Sequence, residues 1–466
     1  NVFFPSPVIS PLAYKRNLLG SRAWSITGIT HTTSSQRVIE GINELIIAPV
    51  HEWDSVICTS NAVKKHIEYL LEAQKSYLEQ RLGKIRYVTA NMPVIPLGIF
   101  TDDFRFTERQ RSESRMLLGI KEQDVVVLYV GRLSFHAKSN PVAMYQSLER
   151  ANKDCTENIV LIEVGWYANN AIQESYEDAR REILTTVRSI YLDGTDNKQK
   201  TLGWSSANIF CSLSDNIQET FGITPIEAMA ASLPVLASDW NGYKDAINHG
   251  KEGFLVETTM PRGNTGNDLS ARYQLAIDSY DRYCGYTSSL IEVNVDLAAE
   301  FLTKLVKDKS LRLRMGELAR RRATAIYDWT SIIPQYKELW SSNEELRTSL
   351  GNSDLHVGLR RNSDPFLEFS HYPTFQISKN TKLKLSTKDA NSALAKYNSL
   401  MRLSMVNYSS ITHPQKDEVT QLIRMLESTS KTVEEILKEM NEHRQANIER
   451  GLSALLKLGI VIKQKT

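Results

Sequence analysis

Residues 124–130 read DVVVLYV, an apolar run without polar alternation. Similar apolar runs recur along the chain, at residues 23–30, 55–59, 159–164, 190–192, 209–213 and 234–237. Stretches with helical spacing separate them, at residues 62–82, 142–152 and 171–187. Strands that are apolar on both faces and alternate with helices are typical of a parallel sheet covered on each side. The pattern predicts an α/β fold built from doubly wound, Rossmann-like sheets.

The composition of the 466 residues argues against several classes of protein. Lys plus Arg number 56 and Asp plus Glu number 54, so no global field favours nucleic acid or a membrane surface. The four cysteines lie far apart and form no Cys/Cys or Cys/His spacing, which argues against structural zinc and a disulfide framework. A reducing cytoplasm fits this cysteine usage best. The sequence contains no run of 18 or more apolar residues, so it predicts no membrane-spanning helix.

Changes in composition divide the chain into regions. The segment PVIPLGIFTDD at residues 93–103 predicts a joint between two α/β regions, and residues 262–290 predict a polar insertion with helical character. Two helices are predicted next, at residues 295–307 and 311–326. Residues 351–386 are rich in Ser, Asn and Asp and predict a linker, after which helical patterns resume from about residue 390.

The segment ETFGITPIE, residues 219–227, carries the strongest chemical signal. Pro225 suits the first turn of a helix, and the N–H groups and dipole at such a helix start favour an anion. Gly222 lets the backbone approach a ligand closely. Glu219 and Glu227 can accept hydrogen bonds from sugar and ribose hydroxyls. The alternative is that both are solvated charges at a helix end.

Two further segments supply candidate site residues at the ends of predicted strands. Gly131-Arg132-Leu133 and Lys138 follow the strand DVVVLYV, where an arginine fork and a lysine charge can hold a diphosphate. His31 ends the predicted strand AWSITGIT and can face the same cleft from the opposite region. The alternatives are a solvated Arg/Lys pair and a structural histidine.

The chain resembles the family 4 (group 1) retaining glycosyltransferases. That family's donor-binding half carries a strand-Gly-Arg-Leu-Lys element and a Glu-x7-Glu element, and this chain has VGRLSFHAKSNP and ETFGITPIE in that order. The segment PVIPLGIFTDDF is similar to the family's inter-lobe joint, and IYDWTSIIPQYKELW to its closing helix. The resemblance covers about residues 20–342. It implies the two-lobed GT-B fold, with a nucleoside-diphosphate sugar as donor substrate and no metal or other cofactor.

The resemblance also implies a role for each matching position. Arg132 and Lys138 would bind the donor diphosphate, Glu219 the donor sugar near the reacting carbon, and Glu227 the ribose. His31 would contact the sugar from the first lobe; with Glu219 it forms the catalytic pair. Backbone groups of the turn would bind sugar and phosphates, from Phe221, Gly222, Ile223 and Thr224. Gly165 would lie near the base. Pocket residues near Gly165 and Asp215-Asn216 are candidates for selecting the base or the sugar. Asp102-Asp103 belongs to the joint rather than to a metal site.

These observations predict five segments. They are a partial acceptor-side lobe at residues 1–98, a donor lobe at 99–330, a crossing helix at 331–344, a linker at 345–388 and a small helical or winged-helix-like module at 389–466. A complete first lobe has about six strands, whereas only about 95 residues precede the joint. The start, NVFFP, is not a signal peptide and reads like the middle of a protein. We therefore expect much of the acceptor site to be missing, and residues 1–466 alone to be poorly stable and inactive.

The C-terminal module allows two interpretations. Its end, NIERGLSALLKLGIVIKQ, is similar to a winged-helix module, which favours nucleic-acid binding. Residues 351–466 hold 17 Lys plus Arg against 12 Asp plus Glu, a mildly basic balance of +5 that falls short of a DNA-binding signature. A helical protein-interaction or packing module is the preferred interpretation.

Three functions remain open from the sequence. The first is glycosyl transfer to an unknown carbohydrate, lipid-linked or protein acceptor. The second is a related enzyme such as a phosphorylase or a nucleotide-sugar epimerase. The third is an inactive transferase-like protein that binds nucleic acid or a partner through its C-terminal module. The joint presence of Arg132, Lys138, Glu219 and Glu227 favours the first.

Overall fold

The computed structural model describes residues 1–349 and 363–464. The chain forms two compact units, Asn1–Arg361 and Asn362–Thr466. The first unit contains two parallel sheets, and the second contains a small antiparallel sheet. The predicted α/β class with parallel, Rossmann-like sheets is therefore confirmed.

The first α/β region, residues 1–98, is built on a three-stranded parallel sheet in the order β1-β2-β3. Its strands are β1 Val2–Phe4, β2 Ile26–Ile29 and β3 Ser55–Ile57. Its helices are α1 Ser10–Asn17, α2 Gln36–Glu44 and α3 Asn61–Leu82. The predicted strand at residues 23–30 is shorter than expected, and β1, α1 and α2 were not predicted. Their apolar residues are too few and too interrupted to produce a period.

The second α/β region, residues 99–349, is built on a six-stranded, wholly parallel sheet in the order β6-β5-β4-β7-β8-β9. Its strands are β4 Val125–Val130, β5 Ile159–Gly165, β6 Arg188–Asp193, β7 Ile209–Ser212, β8 Val235–Ser238 and β9 Gly253–Val256. The helices between them are α4 Glu108–Leu117, α5 Val142–Asp154, α6 Asn170–Ile183, α7 Asn197–Ser206, α8 Ile223–Ala230 and α9 Tyr243–Ala246. Separate apolar cores cover the two faces of the sheet, which explains why its strands lack polar alternation.

The predicted insertion is a helical hairpin on a short two-stranded stalk. The strands β10 Thr258–Thr259 and β11 Glu292–Val293 pair antiparallel. Between them lie the helices α10 Asn267–Gln274 and α11 Tyr280–Ser288. The region ends with three longer helices, α12 Val295–Lys307, α13 Lys309–Arg322 and α14 Trp329–Ser349.

Helix α14 returns to the first α/β region. Its residues Ile332, Tyr336 and Leu339 form one apolar cluster with residues of β2 and β3 and with Ile95. The buried Asn343 accepts a hydrogen bond from Ser55 Oγ at 3.0 Å. The helix extends beyond the predicted crossing helix at residues 331–344 at both ends, and Trp329 at its start packs against the same apolar cluster.

The second unit places three strands in the order β13-β12-β14, all antiparallel. Its elements are α15 Pro365–Glu368, β12 Lys382–Leu385, α16 Ala390–Leu400, α17 Ser404–Asn407, α18 Lys416–Met425, β13 Lys431–Thr432, α19 Val433–Lys438, α20 Gln445–Lys457 and β14 Val461–Lys463. The predicted linker at 345–388 is wrong at both ends, because α14 and β12 occupy them. Part of that linker, residues 350–362, lies outside the described residues.

Candidate functional site

The order of the six strands creates a crevice at one place. β4 lies between β5, the next strand along the chain, and β7, so the winding direction reverses between β4 and β7. Ligands of open α/β sheets bind at such a reversal, outside the carboxyl ends of the strands. The segment after β4 carries Arg132 and Lys138, and the segment after β7 carries Glu219. The sheet therefore brings together residues that are far apart in sequence.

A direct contact joins the two segments. Lys138 Nζ lies 3.6 Å from Glu219 Oε2, and the Lys138 side chain is 42% exposed while that of Glu219 is 13% exposed. A long, half-exposed ion pair of this kind contributes about 0–1 kcal/mol to stability. The pair is therefore poorly explained as a stabilising contact, and the lysine can transfer its charge to an anion without much loss.

Hydrogen bonds tie the loops that carry this pair. Ser214 Oγ donates to Lys138 O at 3.2 Å, and Asn216 Nδ2 donates to His136 O at 3.0 Å. Asp215 Oδ1 accepts from Asn140 N at 3.3 Å, and burial raises the pKa of Asp215 to about 7. These contacts hold the Lys138 loop in place, and the selection of base or sugar that the sequence assigns to residues near Asp215-Asn216 stays a prediction.

The carboxylate of Glu219 holds the turn that follows it. Glu219 Oε1 accepts from Thr220 N at 3.1 Å and from Phe221 N at 3.4 Å. Gly222 has a φ of +85°, and a methyl group placed on it would lie 2.0 Å from the ring of Tyr243. Only glycine therefore fits at this position, and the close approach of a ligand that the sequence predicts there stays a prediction. The ring of Tyr243 supplies an additional, packing reason.

The turn leads into helix α8, whose N-terminus has no side-chain cap. Phe221 is buried, Ile223 is exposed and Thr224 is half-buried. The first N–H groups of a helix lack intrahelical partners, and together with the dipole they favour an anion. Helix α8 begins four positions after Glu219, so the candidate anion site has a helix end beside its carboxylate.

Arg132 is half-buried and has fewer hydrogen bonds than the buried arginines Arg16 and Arg115. Its Nη2 donates to Ala137 O at 3.5 Å, and its guanidinium carbon lies 5.9 Å from the ring centre of Trp166. Its Nε is buried and has no hydrogen-bond partner among the described residues. A guanidinium with unused donors at a strand end can bind a diphosphate through its fork.

Gly165 ends strand β5 beside Gly131. A methyl group on Gly165 would lie 2.1 Å from Gly131 O, and Gly165 O accepts from Gly194 N at 2.8 Å. The glycines let the ends of β4, β5 and β6 approach closely. The structure therefore explains Gly165 by backbone packing; its predicted place near a base stays a prediction.

Glu227 lies one and a half turns into α8. Burial raises the pKa of its carboxyl to about 7, and the nearby Lys200 charge partly opposes this shift. No hydrogen bond to its carboxylate is found in residues 1–349 and 363–464. A half-buried acid without a protein partner has acceptor capacity to spare, which suits contact with ligand hydroxyls.

The first α/β region meets this crevice at the end of β3. Ser60 Oγ donates to Thr220 O at 2.7 Å, and Asn61 N donates to Asp245 Oδ2 at 2.6 Å. His31 follows the neighbouring strand β2 and is exposed. It lies at the same edge of the sheet, but no described hydrogen bond joins it to Glu219. The structure brings Lys138 and Glu219 into contact and leaves His31 outside that contact.

Metal and membrane features can be judged for the described residues. No cluster of three or more His, Cys, Asp or Glu side chains with metal-binding geometry occurs among them. Asp102 instead pairs with Arg105 at 3.1 Å and with Arg320 at 3.6 Å. Within the same residues, no helix has the length and apolar content needed to cross a bilayer.

Known proteins resemble one part of the chain. Residues 110–262 match the sequence model of the family described as glycosyl transferases group 1. D-inositol 3-phosphate glycosyltransferase of Corynebacterium efficiens is 28% identical over 238 residues, 51% of this chain and 46% of that protein. Phosphatidyl-myo-inositol mannosyltransferase of Mycobacterium leprae is 28% identical over 163 residues, 35% of this chain and 39% of that protein. The chain spans about half or less of these relatives.

A solved structure is similar over a longer range. Sucrose-phosphate synthase of Thermosynechococcus elongatus is 18% identical and superposes with a TM-score of 0.47, covering 73% of this chain and 72% of that one. The resemblance to the group 1 glycosyltransferases that the sequence predicted is confirmed over residues 110–262. The matched residues 110–262 contain Arg132, Lys138, Glu219 and Glu227.

Proposed function

We propose that the chain is the donor-binding part, with a portion of the acceptor-side part, of a retaining glycosyltransferase of the two-lobed GT-B type. It transfers a sugar from a nucleoside-diphosphate sugar without a metal ion. The observation that carries this proposal is the Lys138–Glu219 contact of 3.6 Å at the strand reversal, beside the uncapped start of α8. One cation, one acid and a set of free N–H groups meet where a diphosphate and its sugar can bind.

The charges of the crevice suit the chemistry of such a transfer. As the bond between the anomeric carbon and oxygen breaks, negative charge develops on the departing nucleoside diphosphate. Arg132, Lys138 and the N-terminus of α8 stabilise that charge, and Glu219 orients the sugar. Glu227 accepts hydrogen bonds from the ribose. In a retaining reaction the acceptor attacks on the face that the diphosphate leaves, and a phosphate oxygen assists its deprotonation.

His31 contributes to this proposal from the other side of the crevice. It lies at the carboxyl edge of the sheet whose β3 end contacts Thr220 through Ser60. Its exposed ring contacts the donor sugar once a donor is bound. The acceptor is a carbohydrate, a lipid-linked sugar or a protein. The names of both relatives describe transfer to an inositol-containing acceptor, and no described residue of this chain selects among these classes.

The four cysteines are all free, which supports a reducing compartment such as the cytoplasm for this activity. For the second unit, the order α18, β13, α19, α20, β14 supports a winged-helix-like module used for protein interaction or packing. The mild net charge of +5 over residues 351–466 does not favour nucleic acid. An electrophoretic mobility assay of the full chain with duplex DNA at physiological salt tests this, and salt-resistant binding would contradict it.

The donor site is tested by isothermal titration calorimetry of the full chain with UDP, GDP and ADP and with their glucose conjugates. We expect one base to bind in the micromolar range without magnesium, and the variant Lys138→Ala to bind it about tenfold more weakly. Lys244→Ala is a matched control, because Lys244 is also half-exposed and pairs with Asp239 at 3.8 Å. Absence of binding for all three bases, or an equal loss in both variants, would contradict the proposal.

A further inference from the structure

An aromatic residue outside the predicted site lies against its arginine. Trp166 follows β5 directly, and 42% of its surface is exposed. The guanidinium carbon of Arg132 lies 5.9 Å from the centre of the Trp166 ring, within the range of a cation–π interaction. A large aromatic side chain that stays exposed at a strand end, with a cation on it, is poorly explained by core packing.

The loop that carries Trp166 is fixed by hydrogen bonds. Leu133 N donates to Trp166 O at 3.1 Å, which continues the pairing of β4 and β5 beyond the sheet. Tyr191 Oη donates to Gly165 O at 3.1 Å. The backbone on both sides of Trp166 therefore has little freedom.

The residue after Trp166 is fixed as well. Tyr167 stacks on Tyr191 with ring centres 5.1 Å apart, and its Oη accepts from Arg180 Nη2 at 2.6 Å. Arg180 Nε in turn donates to the buried Glu163 at 2.6 Å. A chain of contacts from the core thus anchors the segment that presents the indole ring.

Arg132 has few other contacts that could orient it. Its described hydrogen bonds amount to one long contact, from Nη2 to Ala137 O at 3.5 Å. Its Nε has no partner among residues 1–349 and 363–464. Of the described contacts of Arg132, the Trp166 ring is therefore the one best placed to orient the guanidinium.

We propose that Trp166 is a positioning residue for Arg132 in the donor site. The rigidly held indole supports the guanidinium and leaves its N–H groups free to donate to the diphosphate. Pre-orientation of this kind lowers the entropy lost when the ligand binds. This inference rests on the proposed function, since it requires that Arg132 binds the diphosphate of the donor. A nucleobase stacked on Trp166 is the competing use of the ring, and the position of Arg132 on it disfavours that use.

The test is a double-mutant cycle on nucleoside-diphosphate affinity, measured by calorimetry with whichever of UDP, GDP or ADP the wild type binds. We expect Trp166→Ala to weaken binding about three- to tenfold and Arg132→Ala about ten- to a hundredfold. The double variant should bind within about twofold of Arg132→Ala alone, because Trp166 acts through Arg132. The corresponding nucleoside, which lacks phosphates, should lose no affinity in Trp166→Ala.

Two conservative variants keep the test sharp if Trp166→Ala fails to fold. Trp166→Phe retains a ring face and should bind within about threefold of the wild type, whereas Trp166→Leu retains bulk without a π face and should match the alanine variant. Additive losses in the cycle, or an equal loss for the nucleoside, would overturn the inference and favour base stacking. If the wild type binds no nucleoside diphosphate, both the proposed function and this inference fail. If the wild type binds and the Trp166 variants bind equally well, only the inference fails.

Discussion

Two arginines show how the two α/β regions use the same side chain differently. Arg16, in the first region, is fully buried, and its terminal nitrogens donate to both oxygens of Asp54, at 2.5 and 2.8 Å. They also donate to Trp24 O and Pro49 O, each at 3.0 Å. Arg132, in the second region, makes one hydrogen bond of 3.5 Å and lies on an exposed ring. The Nε of each arginine has no described partner, so the difference lies in the terminal nitrogens. Terminal nitrogens that bond to the chain itself indicate a structural role, and terminal nitrogens with one long bond indicate a ligand.

The comparison predicts its largest effect on stability at the first arginine. Arg16→Ala leaves Asp54 buried without its cation, although Asp54 still accepts from Ile26 N and His51 N, each at 2.9 Å. We expect the free energy of unfolding to fall by about 3–5 kcal/mol. Arg132→Ala should lower it by less than about 1 kcal/mol. Urea unfolding followed by circular dichroism measures both, and similar losses in the two variants would break the comparison.

The second prediction contrasts an unpaired acid with the paired Asp54. The pKa of Glu227 rises from 4.5 to about 7 on folding because burial disfavours its charge. The folded state therefore holds this proton more tightly than the unfolded state. The stability that it contributes is fully present below pH 4.5 and is lost as the pH rises through 7.

Glu227→Gln should remove this loss. Compared with the wild type, the variant should gain on the order of 3 kcal/mol in unfolding free energy between pH 4.5 and pH 8. Burial also raises the pKa of Asp215 to about 7, so its effect on stability has the same direction. The Glu227→Gln variant should therefore still lose some stability as the pH rises, and Asp215→Asn should remove that remaining loss. Urea unfolding at a series of pH values measures the difference, and parallel curves for wild type and Glu227→Gln would contradict the prediction.

The third prediction separates the charge of Arg132 from its shape. Arg132→Lys keeps the cation but loses the planar fork and its match to the ring face. Affinity for the bound nucleoside diphosphate should fall about tenfold, with the unfolding midpoint unchanged. The matched control is Arg16→Lys, which should reduce stability and leave affinity intact in the folded fraction. Full affinity in Arg132→Lys would show that a point charge suffices.

The smallest effect is expected where the insertion meets the first region. Tyr280, which begins α11, and Ser34 share a hydrogen bond of 2.7 Å between their hydroxyl groups. Tyr280→Phe should lower the free energy of unfolding by about 1 kcal/mol. Ser34→Ala should cost a similar amount, and the double variant should cost no more than either alone. Fully additive losses would show that this contact does not couple the two regions.

The sequence predicts most of the second α/β region because its strands are uninterrupted apolar runs. It predicts less elsewhere. Strand β12, KLKL, alternates with Leu383 and Leu385 buried, but four residues inside a polar stretch give too short a period to distinguish it from a linker. The strands of the first region are short, and β1 becomes recognisable only when paired with β2.

The candidate site divides in the same way. The meeting of Lys138 and Glu219 follows from the fold class, because carboxyl ends of parallel strands share one edge. The role of Trp166 does not follow from the fold class. It depends on the register of the ends of β4 and β5 and on the side-chain conformation of Arg132. The roles of Arg132, Glu227 and His31 toward a donor stay predictions that the binding experiments address.

Helix α14 has a consequence for how the chain is made. It supplies Ile332, Tyr336 and Leu339 to a cluster with the first region's strands, and its Asn343 bonds a residue 288 positions earlier. During synthesis, part of the apolar surface of the first region therefore stays uncovered until the ribosome has released the helix. Shortening the chain before residue 329 would leave that surface open permanently. A shortened version of the chain should therefore keep this returning helix together with both regions.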